Sequence, residues 1–421
     1  MENREEDSGS YGLCIKRKVM RYLKKIKVGT LFSGIGAFEA ALSQLNIPHT
    51  LKFACDNGEI ELIPLDAKER SEYKKLDKRA KTLNEEEKQR YIYLRGKIDG
   101  AIEHIRAFVK QLHNKEHAHR YIARIYKMYG ASKENQMKKS YCANYKIEDN
   151  DFYTDVRFLD GDLYSNEIDI MVGGSPCQSF STYGKKRGME DTRGTLFYDY
   201  ARIIMEVKPK VFIYENVLGL LTLDEGRTWT KMLEVWNSLG YNVFYEKLNS
   251  VNYNHPQNRI RLFLIGFRED LRVTDYKFPA FLQLTKKAPD FLDKSGVSLK
   301  YYLGKKGFEW VTNKEKNKNK TRYNRDVIGC ETANQQFNWI GDLLVEKPRQ
   351  EHYNDPRIFI GKLDGEDSVA RQMTPRECLR LMGFDDSFKI VVEDKTAWRQ
   401  AGNSIVVPVL KEIIKSIYSY L

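Results

Sequence analysis

The sequence predicts an α/β protein with a large core domain and a second, smaller domain, and three features of the chain predict it. Apolar runs of strand length alternate with stretches of helical periodicity from residue 26 to about residue 270. The first run passes directly into a glycine turn and then a helix. Periodicity loosens over residues 271–370, and core-like patterning returns over 371–421, so both ends of the chain are expected to build one domain.

Taken in order, residues 26–32 read as the first strand, Ser33-Gly34-Ile35-Gly36-Ala37 as the turn, and the helix runs through Leu42. Glycines in such a turn let a ligand approach the backbone, although a plain tight turn uses them equally well. Residues 51–55 read as a second strand ending at Asp56, and an acid just past a second strand is placed to accept both hydroxyls of a ribose. Over residues 66–130 apolar positions recur at helical spacing within highly charged stretches, which reads as an inserted helical hairpin with a solvated, lysine-rich face. Residues 168–172 read as a central strand. Helices over 197–207 and 229–239, and strands over 211–214, 241–248 and 262–267, continue the alternation. Residues 271–370 hold short runs, aromatics and the basic stretch 313–320, and read as a domain of irregular or β character. Residues 405–410 are expected to form the last strand, introduced by Gln400-Ala401-Gly402-Asn403-Ser404 and followed by a helix.

The composition is that of a globular chain: 421 residues, 41% hydrophobic and 30% charged. Seventy Lys and Arg against 58 Asp and Glu give a formal charge of +12, which favours a polyanionic partner without distinguishing DNA, RNA or lipid. Six scattered cysteines form neither a disulfide framework nor a CxxC knuckle, so a reducing compartment and no structural zinc are expected. No apolar run reaches membrane-spanning length, and the N-terminal residues lack a signal core, so no membrane partner is expected.

Four separated segments carry candidate chemistry. Gly173-Gly174-Ser175-Pro176-Cys177 follows the central strand, where a thiol can be accessible and partly ionised; a half-buried structural cysteine would read the same way. Glu215-Asn216 ends a strongly apolar strand, where a partly desolvated carboxyl becomes a proton donor; a helix cap is the alternative. Alternation puts Gln257, Arg259 and Arg261 on one side, able to present donors to one polar ligand or to make an ordinary basic strand entrance. Gln400 to Ser404 closes a ligand pocket or makes a turn.

These segments, in this order, resemble the DNA (cytosine-5) methyltransferase family of bacterial restriction-modification systems. The resemblance rests on Phe32-Ser33-Gly34-Ile35-Gly36, Asp56, Asp155-Val156, Pro176-Cys177-Gln178, Arg193 to Phe197, Glu215-Asn216-Val217, Gln257 to Arg261, Thr374-Pro375-Arg376-Glu377 and Gly402-Asn403-Ser404. It implies the S-adenosylmethionine-dependent methyltransferase fold, a mixed, mostly parallel sheet with helices on both faces, plus a smaller target-recognition domain. The implied division is an N-terminal extension over 1–25, a catalytic domain over 26–270 with its insertion at 66–130, a target-recognition domain over 271–370, and a catalytic C-terminal segment over 371–421.

The resemblance also implies S-adenosyl-L-methionine as donor and a cytosine flipped out of double-stranded DNA as acceptor. Cys177 then resembles the nucleophile that adds to cytosine C6, Glu215 the group that binds and protonates N3, and Arg261 the cation at O2, with Arg259 supporting that site. Phe32, Gly34, Gly36, Asp56, Asp155, Val156, Leu196 and Asn403 resemble the donor-binding residues; the family commonly has Glu at the position of Asp56. Gln178, Ser179 and Ser181 are expected to help close the loop on DNA, and Lys185, Lys186 and Arg187 to contact phosphate, a basic surface loop being the alternative. Arg322, Arg325, Gln335, Gln336, Arg349 and Arg357 are candidates for base-edge contacts. A cytoplasmic, bacterial or phage-encoded monomer acting on DNA is expected, with scope for a separately encoded cognate restriction endonuclease. A transfer-RNA cytosine-5 methyltransferase and an inactive DNA-binding homologue are the competing readings.

Overall fold

The computed structural model describes residues 24–80, 82–176 and 196–421. The main sheet contains β1 (Ile26–Leu31), β2 (His49–Cys55), β3 (Phe152–Tyr153), β4 (Ile170–Gly173), β5 (Val211–Asn216), β6 (Tyr241–Asn249) and β7 (Ile260–Arg268). Their order across the sheet is β3-β2-β1-β4-β5-β7-β6. Neighbours from β3 to β5 are parallel, whereas β7 runs antiparallel to both β5 and β6.

Period-two patterning explains why both faces of this sheet are covered. Ile170, Val172, Val211, Ile213, Ile265 and Phe267 point to one apolar cluster, and Met171, Phe212, Tyr214, Leu262 and Leu264 to the other. The helices in chain order are α1 (Ala37–Gln44), α2 (Ala67–Lys78), α3 (Glu85–Gln111), α4 (Lys115–Met128), α5 (Gln136–Asn144), α6 (Leu196–Val207), α7 (Arg227–Ser238), α8 (Lys305–Thr312), α9 (Lys314–Asn317), α10 (Gln350–Tyr353), α11 (Pro375–Leu381), α12 (Asp394–Asn403) and α13 (Val407–Ile417). α1 and α13 cover the first face, and α6 and α7 cover the second. The C-terminal segment therefore packs beside the N-terminal strand, and Lys411 donates to Gln44 across the α1–α13 contact at 3.2 Å.

Two expectations need correction. Residues 405–410 do not form a strand: Val407 opens α13. Pro408 sits in the first turn, where its fixed φ suits a helix and its missing N–H costs nothing. The buried residues Val407, Leu410, Ile413, Ile414 and Ile417 recur at helical spacing. Residues 400–403, read as closing a ligand pocket or making a turn, are the end of α12, which still brings Asn403 to a cavity. The insertion is also three helices, not a hairpin. α3 alone is 27 residues long, starts in a capping box between Asn84 and Glu87, and carries Gly96 and Gly100 without breaking. The three helices share their own apolar cluster, centred on Leu94, Ile98, Ile102 and Ile122.

A second sheet contains β8 (Thr321–Tyr323), β9 (Gly341–Glu346), β10 (Gly361–Leu363) and β11 (Glu366–Arg371), in the order β10-β11-β9-β8. It packs with α8 through Leu303, Phe308, Val311, Leu343 and Val345. Among the described residues, no helix is long and apolar enough to cross a membrane, and no group of three or more His, Cys, Asp or Glu could hold a metal ion.

Candidate active site

The chain runs outward from β1 through β2 to β3, then returns to β4 on the other side of β1. In an open α/β sheet this reversal opens a crevice at the carboxyl ends of the strands, where ligands bind. Four segments meet there: the Phe32–Gly36 turn after β1, Asp56 after β2, Gly174-Ser175-Pro176 after β4, and Glu215-Asn216 at the end of β5.

Phe32 has φ +52°, an uncommon conformation for a bulky residue. Gly36 has φ +82°, and a Cβ there would meet the Tyr145 ring at 2.2 Å, so both backbone and space demand glycine. The turn is held to β2 by Asp56, whose carboxylate accepts from the backbone N–H of Gly34 at 2.9 Å and of Gly58 at 2.8 Å. Burial raises the Asp56 carboxyl above its usual range despite these donors.

The loop after β4 is equally fixed. A Cβ on Gly174 would stand 2.2 Å from the Glu215 carbonyl oxygen, so glycine allows the loop to lie on the end of β5. Asn216 donates to the Ser175 carbonyl at 3.0 Å and to the Tyr214 hydroxyl at 2.8 Å, and the Ser175 and Tyr214 hydroxyls are 2.8 Å apart. Asn216 is therefore a clamp on the segment leading into Cys177, not a helix cap. Ser175 and Tyr214 were not legible as site residues, because neither a serine in a turn nor a tyrosine in a strand signals a partner. Cys177, Gln178, Ser179, Ser181, Lys185, Lys186, Arg187 and the Arg193-Gly194-Thr195 part of its motif lie outside the described residues.

β7 explains how an arginine reaches Glu215. Because β7 is antiparallel to β5, its first residues lie beside the carboxyl end of β5, with Leu262 opposite Asn216. Arg261 places Nε 3.2 Å from Glu215 Oε1. Burial raises the Glu215 carboxyl above its usual range, against the opposing pull of Arg261 and Arg259. The other two residues expected to face a ligand do not. Gln257 is fully buried, donating to the Leu381 carbonyl at 2.7 Å and accepting from the Glu331 N–H at 3.1 Å. Arg259 gives its guanidinium to the carbonyls of Glu331 at 2.6 Å, Gly402 at 3.1 Å and Ser404 at 2.7 Å. It ties β7 to the end of α12, and only Arg261 is directed at Glu215.

Two cavities adjoin Phe32. The smaller, about 90 Å³, is lined by Phe32, Gly34, Gly173, Gly174, Glu215 and Asn403. The larger, about 350 Å³, brings Phe32, Asp56, Asp155, Val156, Pro176 and Leu196 together. Gly36 does not line either one; its place is under Tyr145. Asn403 is exposed and donates to Glu59 at 3.4 Å. Asp155 is engaged by its own neighbours: it accepts from the Arg157 backbone and guanidinium and from the Tyr126 hydroxyl at 2.7 Å.

Against this geometry, residues 112–419 match the family model described as C-5 cytosine-specific DNA methylase. The chain belongs to that family. It is 34% identical to the Type II methyltransferase M.HpaII of Haemophilus parainfluenzae over 302 residues, 68% of this chain and 82% of the relative. It is also 34% identical to the Type II methyltransferase M.HhaI of Haemophilus parahaemolyticus over 256 residues, 60% of this chain and 76% of the relative. The fold is similar to that of the S. pombe Dnmt2 methyltransferase, with a TM-score of 0.57 at 18% identity over 92% of this chain and 97% of that one.

For a cytosine-5 DNA methylase, two of the six candidate base readers sit unexpectedly deep. Gln335 and Gln336 are buried, and Gln336 accepts from the Met373 N–H at 2.9 Å. Arg325 is paired with Asp342, Arg357 with Asp355, and Arg349 with Glu351 and the Tyr302 hydroxyl. Arg322 is exposed on β8.

Glu331, beside Arg259, was also not legible from sequence. Burial pushes its carboxyl up to about 7, and Oε2 lacks a hydrogen-bond partner. Between pH 4.5 and 7 the folded protein then holds a proton that the unfolded chain releases, so this group lowers stability as pH rises. His255 acts oppositely: burial lowers it to about 4, and the folded protein loses stability as pH falls below the unfolded value. Urea unfolding of Glu331→Gln and wild type at pH 5 and pH 8 isolates the first effect. The difference should move in the variant's favour by roughly 2 kcal/mol at the higher pH. A difference independent of pH would mean that Glu331 ionises normally.

Proposed function

We propose that the protein transfers a methyl group from S-adenosyl-L-methionine to C5 of a cytosine flipped out of a specific duplex DNA sequence, through a transient bond between Cys177 and C6. The observation that carries this reading is the pair at the end of β5: Glu215, raised by burial and 3.2 Å from Arg261, beside the backbone that leads into Cys177. A carboxyl that keeps its proton can give it to cytosine N3, and an adjacent guanidinium can hold O2 as charge develops. With N3 protonated, C6 accepts the Cys177 thiolate and C5 gains the electron density needed to attack an electrophilic methyl. After transfer, which leaves the donor as a neutral thioether, the C5 proton leaves to solvent, the C6–S bond breaks and N3 returns its proton to Glu215, restoring the aromatic ring, the thiolate and the acid.

The two cavities suit the methyl donor. Phe32, Val156 and Leu196 supply apolar walls for a purine, Asp56 stands at the ribose position, and Glu215 and Asn403 border the smaller cavity at the reacting end. When bound, S-adenosylmethionine supplies a methyl group on a positively charged sulfur. Arg259 is a positioning residue in this scheme, since its contacts hold Gly402 and Ser404, next to Asn403. Residues 271–370 read the target sequence and Lys185, Lys186 and Arg187 bind phosphate, a division supported by the separate small sheet and the net charge of +12.

The test is incubation of the protein with labelled S-adenosylmethionine and either duplex DNA or transfer RNA, with Cys177→Ala as control. Label is expected in DNA alone and in cytosine alone, and sequencing of the treated DNA then gives the site. Label in transfer RNA alone would move the reading to an RNA methyltransferase, and none with either substrate would favour an inactive DNA-binding homologue.

A further inference from the structure

The three-helix insertion does more than decorate the sheet. The 350 Å³ cavity assigned above to the donor nucleoside has Phe32, Val156 and Leu196 on one side and Tyr73, Ile98 and Asp99 from α2 and α3 on the other. The insertion is also bonded to the floor of that cavity. Tyr126 of α4 donates to Asp155 at 2.7 Å, and Arg106 of α3 donates to the Arg157 carbonyl and to Asp199, each at 2.8 Å.

Asp56 and Glu61 line the cavity from outside the insertion, and within the insertion the hydrogen-bond partners leave Asp99 as the freest acceptor. A purine amino group and ribose hydroxyls are hydrogen-bond donors and need acceptors in the cavity. Both Asp155 oxygens already receive Arg157 or Tyr126, which takes up nearly all the lone-pair sites of a carboxylate. Asp77 receives the Tyr91 hydroxyl at 2.7 Å. Asp99 lines the cavity beside Ile98, with its neighbour Arg95 3.9 Å away, outside hydrogen-bond range. It stands at the mouth of the cavity with acceptor capacity to spare.

We propose that the insertion is a donor-binding element, in which Asp99 accepts from the nucleoside of S-adenosylmethionine while Tyr73 and Ile98 close its apolar side. This rests on the methyl-transfer reading above. Isothermal titration of the full-length protein with S-adenosylhomocysteine tests it without turnover. Asp99→Ala should weaken binding by about tenfold or more, the size expected for losing a hydrogen bond to a charged acceptor. Asp99→Asn, which keeps an acceptor oxygen, should lose less. Asp99 is at the surface, so the melting temperature without ligand should be unchanged.

An analogue carrying inosine in place of adenosine distinguishes the donor atoms. If wild type prefers adenosine and Asp99→Ala does not, the amino group is the partner; if both keep the preference while Asp99→Ala binds more weakly, the ribose hydroxyls are. Unchanged affinity of Asp99→Ala, with Phe32→Ala weakened, would overturn this proposal and leave the methyl-transfer reading standing. Wild-type protein that does not bind S-adenosylhomocysteine would overturn both.

Discussion

Glu215→Gln is expected to lower kcat with duplex DNA by about 10²–10⁴-fold, the range for losing a positioned acid, while DNA binding stays near wild type. Glutamine preserves the size of the side chain and can still hydrogen-bond, but it has no proton to transfer. The raised carboxyl gives the pH dependence its sign. Burial keeps more of Glu215 protonated near neutrality, so the fraction competent as an acid falls as pH rises through its raised value. Cys177→Ser should lose turnover further, because a hydroxyl is far less ionised than a thiol at neutral pH. The two variants separate in a trapping experiment. With S-adenosylmethionine present, on duplex DNA carrying 5-fluorocytosine at the mapped site, fluorine replaces the proton that must leave after methyl transfer, so wild type should remain bonded through Cys177. Cys177→Ser should form no adduct, and Glu215→Gln should form it slowly. An adduct on another residue, or undiminished turnover by either variant, would sink the covalent scheme.

What could be read from the chain depended on whether a residue's role was local. Strands β1, β4, β5 and β7 announced themselves because each is a short apolar run bounded by turns, and the site segments follow directly from their ends. The run 405–410 misled because periodicity cannot tell a short apolar run in a buried strand from one in a buried helix and its β-branched residues favour a strand; only Pro408 hinted otherwise. Gln257, Arg259 and Arg261 share one alternation, yet their partners come from residues 331, 381, 402 and 215, which spacing cannot see. The same limit hid Glu331 and the Tyr126–Asp155 bond, whose partners are brought together only by the fold. It also hid the insertion's place at the 350 Å³ cavity, since amphipathic periodicity says which face of a helix is buried but not against what.

The motif Thr374-Pro375-Arg376-Glu377 carries the largest expected stability effect, and none of it touches the cavities. Arg371 ends β11 with its side chain 2% exposed, and Glu377, in α11, is fully buried. The pair is bidentate at 2.8 and 2.9 Å, and Arg371 also reaches Glu346 of β9 at 3.1 Å. Glu377 further accepts from the backbone of Thr374 at 2.7 Å, completing the capping box that starts α11, and from Asp293 at 2.9 Å. One carboxylate thus joins the small sheet, the start of α11 and the 293 loop. Arg371→Met keeps most of the volume but strands that carboxylate in the interior, which should cost about 3–5 kcal/mol of unfolding free energy in urea titration. Arg371→Met with Glu377→Met removes both charges, and should recover part of the loss even though the cap is gone. If the double variant is less stable than Arg371→Met by the full cost of Glu377→Met alone, the two charges are not coupled, and the joint between the sheets must be held by apolar packing instead.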